Sequence, residues 1–466
     1  MSAPDEPHGP HEPHPPHGLP SAHEARHSRG TAPIHTPGDG HGHGPPPVIA
    51  TSLRVRIVTL AVLALVAAAT AVGLVQLWPD YAKVGQLAEQ TPYAIAGATF
   101  ETGELIDDPV DCTESTAGAS GLDSGSDPNA DGGANSASRP QAACIVATVG
   151  IRSGPESGRV AELTVRGPLA SAGLRAGDRV ELIRYPMGAG SETSPGNAQT
   201  VYEINQSYTV AGVFRHVPIA ILTLLFIAVV VAVGRLRGLL ALIALGISAG
   251  VLLAFVLPAL LSGQPGLLVG AVGASAIMFV ILYLVHGPNM RTTAALIGTL
   301  CGILIMAGIS VVSVALTRLS GIGDEAGGML SGMAGTLDFR GLLSCSIIIA
   351  GLGVLNDVTI TQASSVWELR AAAPTMSSGE VYRRAMRIGR DHIASTVYTV
   401  FFAYVGAALS VLIVLYLYGL PFLSLLTRED IAVEIVRTLC GSIGLVLAVP
   451  ITTWVATLFA RSSDPA

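Results

Sequence analysis

Runs of apolar residues about as long as a bilayer is thick recur along this chain, at 56–77, 217–234, 238–261, 266–286, 293–317, 341–362, 393–418 and 438–460. The hydrocarbon core is ~30 Å deep, which a helix of ~20 residues crosses. Within it only a helix or a closed barrel satisfies its own backbone polar groups. The runs therefore predict an α-helical polytopic membrane protein with about eight transmembrane helices. Half of all residues are apolar and 13% are charged, as such a chain requires.

Arginines beside the spans predict the orientation. Arg235, Arg237 and Arg291 lie in short connections on one side, and the same side holds Arg370, Arg383, Arg384, Arg387, Arg390 and Arg461. The opposite side holds fewer: Arg318, Arg340, Arg428 and Arg437, with Arg215 at its edge. The positive-inside bias makes the richer side cytoplasmic and, with an even number of spans, places both termini there. Lys83 is the only lysine among 26 basic residues, which with the richness in Ala, Gly and Val is a trait of GC-rich bacterial genomes.

Residues 1–50 are rich in Pro, Gly and His with little apolar content, and read as a disordered cytoplasmic tail. The apolar run that follows starts too late and is too long for a signal peptide. Between span 56–77 and the membrane domain 217–460 lies a soluble segment, 78–215, expected to be extracytoplasmic. Its runs ACIVATVGI, GRVAELTV, DRVELIRY and QTVYEI alternate apolar and polar residues, predicting a small β-sandwich or barrel. A Gly/Ser/Asp/Asn-rich flexible insert interrupts it at 113–141, and Cys112 and Cys144 flank that insert. On the exported side these two would form a disulfide.

One polar pattern stands out. In LNDVTITQASSVWEL (355–369) and the run before it, Ser346, Ala350, Gly353, Asp357, Thr361, Ser364 and Glu368 share one helical face. A carboxylate inside a span is costly unless it faces protein or water. This predicts a polar seam, closed in by small residues, inside the bundle. It could conduct an ion, with Asp357 titrating or ligating, Thr361 and Ser364 adding neutral oxygens and Glu368 at the inner mouth. It could equally be helix-packing glue. A second stripe of small and polar residues, His392, Ser395, Thr399, Ala403, Gly406 and Ser410, opens at Asp391 and His392, and the two stripes are expected to face each other. The arginine-rich segment 376–391 reads as an amphipathic helix lying on the inner surface. The Gly-rich stretch 319–341, with Asp324 and Glu325, reads as a flexible loop or a short membrane-lying helix.

His8, His11, His14, His17, His41 and His43 in the tail are weak candidates for metal binding. The sequence has no Walker A, HExxH or GxSxG motif, so neither a self-contained ATP-driven pump nor an enzyme is expected, and no cofactor. Nothing points to nucleic acid.

Through FRGLLSCSIIIAGLGVLNDVTITQASSVWEL and RIGRDHIASTVYTVFFAYVG the chain resembles the YibE/F family of bacterial multi-pass membrane proteins. The pattern falls on Gly353, Asp357, Thr361, Ser364 and Glu368, then on Gly389, Arg390 and Asp391; Thr361 and His392 depart from the usual residues. The resemblance implies an integral membrane protein and no particular activity. The leading expectation is a secondary transporter or permease for an ion or small solute, built around Asp357. The rival is a membrane scaffold whose extracytoplasmic domain binds a protein partner.

Overall fold

The structure, a computed structural model, describes residues 53–90, 97–112, 143–185, 207–335, 337–419 and 421–460. The histidine tail, the 113–141 insert and the QTVYEI run lie outside them.

The first long helix, α1 (Leu53–Gln76), is followed by a short helix α2 (Tyr81–Gln90). Six strands come next: β1 (Thr99–Leu105), β2 (Val110–Asp111), β3 (Cys144–Ile151), β4 (Val160–Arg166), β5 (Arg179–Arg184) and β6 (Tyr208–Val213). They form one antiparallel sheet in which β3 pairs with β1, β2 and β4, and β1 continues through β5 to β6. Strands β4 and β6 also touch, so the sheet curls into a half-barrel. Strict alternation drives this: every second residue of β3 and β4 is buried, placing Ile145, Ala147, Val149, Ile151, Ala161, Leu163 and Val165 in one core. Cys112 and Cys144 are joined by a disulfide, their Cα atoms 5.5 Å apart.

The helical part comprises α3 (His216–Val251), a π turn at Leu252–Val256, α4 (Leu257–Leu261), α5 (Gly266–His286), α6 (Met290–Thr317), α7 (Glu325–Met333), α8 (Phe339–Ala372), α9 (Ser378–Ala407), α10 (Leu409–Leu417), α11 (Phe422–Leu426) and α12 (Glu429–Phe459). Among the described residues, six stretches are long and apolar enough to cross a membrane, or seven if α9 and α10, bent by 63°, count as one span. Runs 217–234 and 238–261 fall in a single such stretch, interrupted at Arg235 by a non-helical φ of 50° and ψ of −135°. A Cβ built on Gly238 would lie 2.3 Å from the carbonyl oxygen of Val230. In a straight helix residues eight apart are ~12 Å apart along the axis, so the chain turns sharply here.

Helices α6, α8 and α12 form the centre, with α5 packed on α8. Small residues let the backbones approach. A Cβ on Gly298 of α6 would overlap Thr452 Oγ1 of α12 at 1.9 Å. Thr299 and Thr359 hydroxyls meet at 2.7 Å between α6 and α8, one donating to the other. Helix α2 is tied to the π turn and to the end of α4: the Tyr81 hydroxyl donates to the Ala254 carbonyl, and Lys83 Nζ to that of Ser262 at 2.8 Å.

One expectation is corrected. The 376–391 segment is not a separate surface helix; it is the first half of α9 and runs on without a break towards the span. The start of α9 is set by Ser377, whose Oγ accepts from the Glu380 N–H. The 319–341 stretch contains the nine-residue helix α7, capped by Asp324, whose carboxylate accepts from the Gly327 N–H at 2.6 Å.

Candidate functional site: a polar face on two antiparallel helices

Helices α8 and α9 run antiparallel. Three pairings set their register: Ser346 and Tyr404 line one cavity, Asp357 Oδ2 lies 3.8 Å from His392 Nε2, and Gln362 Nε2 donates to the Ala385 carbonyl at 3.0 Å. The two stripes therefore meet at Asp357 and His392.

The seam is not closed inside the bundle. The buried face of α8 carries Ile348, Leu352, Leu355, Val358, Gln362 and Val366, and the seam occupies the opposite side. Ala350, Gly353, Asp357 and Glu368 are exposed in the isolated chain, and Thr361 and Ser364 half-buried. The Asp357 side chain is 69% exposed and that of His392 30%. The reason is packing: the large apolar side chains of α8 lie opposite the seam and go to α6 and α12. On α9 the stripe borders the buried face, leaving Asp391, Ser395, Thr399, Ala403 and Gly406 exposed. His392 Nε2 is itself buried and accepts no hydrogen bond.

The Ser364 hydroxyl donates its proton to the Ile360 carbonyl of its own helix at 2.7 Å, which leaves the oxygen lone pairs free to accept or ligate. Among the described residues Glu368 and Asp391 make no ion pair, and no three His, Cys, Asp or Glu side chains converge as a metal site.

Two features were not singled out in the sequence. The first is Gln362, buried between α8, α9 and α12, which donates from Nε2 to the Ala385 carbonyl and to Thr453 Oγ1 at 2.7 Å. Gly389 makes room for it: a Cβ there would lie 2.9 Å from Gln362 Oε1 and 2.9 Å from a Val449 methyl. The second is a cavity of about 670 Å³ at the other end of the seam, between the α7 loop, the start of α8, the end of α9 and the start of α12. Its wall includes Ser346, Tyr404, Glu434 and Arg437. Arg437 pairs with Glu434 at 2.5 Å and reaches Ser346 Oγ at 3.4 Å. Ser346 thus links the polar face of α8 to this cavity. The loop beside it is fastened by Glu429 Oε1, which accepts from the N–H and hydroxyl of Ser320 at 2.7 and 2.6 Å and from the Gly321 N–H at 3.0 Å.

A bundle of long apolar helices preceded by a small curled sheet defines a membrane protein. The profile of the YibE/F-like protein family matches residues 222–462, more than half of the chain, and the chain belongs to that family. No curated protein and no solved structure matches it.

Proposed function

We propose that this protein is a secondary transporter or permease of the bacterial inner membrane, moving an ion or small solute past the polar face of α8 and α9. The carrying observation is the 670 Å³ cavity, because its wall holds Ser346, the first residue of the stripe that leads to Asp357 and His392. A solute leaving the cavity would meet small side chains, Ala350 and Gly353, and then an acid and a base. Asp357 would bind or exchange the cation, and no enzymatic step is involved.

The proposal includes eight crossings with both termini and the arginine-rich half of α9 in the cytoplasm, and the half-barrel outside. The break at Arg235 supports counting α3 with α4 as two crossings, and the α9–α10 pair supports one more. An oxidising outer compartment suits the Cys112–Cys144 bridge.

The test is proton and cation flux in liposomes holding purified wild-type protein or Asp357→Asn, across pH and with Na⁺, K⁺, Mg²⁺, Mn²⁺ and Zn²⁺. Flux lost only in the variant supports the pathway. Equal flux in both removes Asp357 from it. The scaffold reading draws on the exposure of the face, which suits contact with another chain. It gains if folded wild-type protein carries no flux and the half-barrel retains a specific partner.

A further inference from the structure

We infer that a pocket where the end of α8 meets the start of α9 holds the phosphate of an anionic membrane lipid. The pocket has a volume of about 510 Å³ and is walled by Leu369 of α8 and by Glu380, Arg383, Arg384, Arg387 and Ile388 of α9. Its one acid is engaged: Arg384 donates to Glu380 Oε1 from Nε at 3.1 Å and from Nη2 at 2.7 Å. Arg383 and Arg387 make no ion pair among the described residues. Two guanidinium groups, one helical turn apart, are therefore left for an anion. Their planar forks match phosphate oxygens two at a time.

Depth identifies that anion as part of a lipid. Helix α9 packs on the bundle through Val381, Ala385, Gly389, Thr396 and Val400. Opposite them, within a stripe about 80° wide, lie Arg383, Arg387 and Arg390, and the stripe continues as Ala394, Tyr398 and Phe401. All six are exposed. In a membrane protein such an outward face, 64% exposed at Tyr398 and 50% at Phe401, meets lipid tails, so the arginines before it meet headgroups. Arg390, Arg387 and Arg383 precede Ala394 by ~6, ~10 and ~16 Å along the axis. The headgroup layer is ~5–8 Å deep on each side of the core, and the long arginine stem extends the reach of its charge towards it. Leu369 and Ile388, the latter 43% exposed, give the pocket an apolar edge for the glycerol backbone and first acyl carbons, which a soluble phosphate compound would leave unused. Charge selects an anionic lipid over a zwitterionic one. Helix α9 carries four arginines against Glu380 and Asp391, and neither Asp391 nor Glu368 of α8 lines the pocket. This site is independent of transport and of which side of the membrane the arginines face.

The experiment places the intact protein in phosphatidylcholine vesicles with a minor share of phosphatidylglycerol, one or the other lipid carrying a photoreactive group at the start of an acyl chain. Mass spectrometry locates the labelled peptides. Photoreactive phosphatidylglycerol should label Leu369 and the stretch 383–402 at least about fivefold more than photoreactive phosphatidylcholine at the same amount. Arg383→Gln with Arg387→Gln should bring the two lipids to equal labelling. Lysine at both positions keeps the charge and loses the fork, and should retain part of the preference. Arg166→Gln with Arg175→Gln, both exposed on the half-barrel, should leave it unchanged. The inference is overturned if the two lipids label this end equally in wild type, or if the glutamine pair keeps the full preference. It is also overturned if excess glycerol phosphate in solution abolishes the labelling, which would make the pocket a site for a soluble phosphate compound. The first and third outcomes are read on wild-type protein and do not depend on any variant inserting.

Discussion

Asp357 Oδ2 on α8 lies 3.8 Å from His392 Nε2 on α9, the one place among the described residues where the two polar stripes touch through ionisable groups. The carboxylate takes no hydrogen bond from the core, and its side chain is largely exposed. Chemistry and stability are therefore separable at this residue.

Asp357→Asn should leave the fold intact, within about 0.5 kcal/mol, as for substitutions away from packed or bonded groups. It should lower flux at least tenfold. Thermal unfolding in detergent and liposome flux on one preparation check both halves. A variant that fails to accumulate would show that Asp357 holds the fold, and would remove the support for a transport role.

Gly389→Val tests the opposite kind of residue. The new side chain would press on Gln362 and Val449, both buried between helices, with the nearest atoms only 2.9 Å from the first added carbon. Overpacking of this sort costs about 1–3 kcal/mol. The unfolding temperature should fall while Asp357 and its surroundings stay chemically unchanged. An unaltered melting curve would mean that α9 is free to shift away from α8 and α12.

How far such features could be read beforehand depended on what each residue pattern encodes. Apolar length encodes long apolar helices directly, so these were legible. The break at Arg235 was legible too, because arginine interrupts the apolar run there. Periodicity shows that a helix has a polar face but not what that face looks at. Asp357 was accordingly expected inside the bundle, and lies instead on its open side. Strand β1 escaped notice because two of its three inward positions, Glu101 and Gly103, are not apolar, and only Leu105 is. Gln362 escaped because a buried amide is defined by partners on two other helices, Ala385 and Thr453, which no local pattern contains.

Glu101 leads to a prediction for the half-barrel. It is 4% exposed and accepts hydrogen bonds from the Tyr208 hydroxyl at 2.9 Å and the Thr99 hydroxyl at 3.1 Å. Burial, and then the adjacent Glu101, push the Tyr208 phenol well above its ordinary value. The sign follows from linkage: the unfolded chain ionises its tyrosine near pH 10 while the folded one keeps its proton. This contribution is complete below pH ~10 and is lost progressively above it. Thermal unfolding of the intact protein from pH 8 to 11 should show stability falling more steeply in wild type than in Tyr208→Phe. The variant should already be weaker at pH 8, by about 1–3 kcal/mol, because Glu101 loses a donor. Parallel curves would mean that Tyr208 titrates normally.

The loop over the cavity depends on one oxygen. Glu429 Oε1, at the start of α12, collects three donors from Ser320 and Gly321, and Ser320 Oγ in turn accepts from the Ile322 N–H at 3.0 Å. Hydrogen bonds to a charged acceptor contribute about 1.5–3 kcal/mol each in favourable settings. Part of this would be replaced by water at a half-buried site. Glu429→Ala should therefore loosen the loop by about 1–3 kcal/mol without unfolding the bundle, whose core lies elsewhere. Glu429→Gln retains one carbonyl oxygen in the same place and should lose less. The loop joins Arg318, at the end of α6, to Arg340, at the start of α8, so trypsin reports its release. Cleavage after Arg318 should quicken in the order wild type, Glu429→Gln, Glu429→Ala. Equal rates in all three would mean that the loop is held by its apolar contacts, chiefly Leu319 against Val433 and Leu343 in one cluster, and that the carboxylate is incidental.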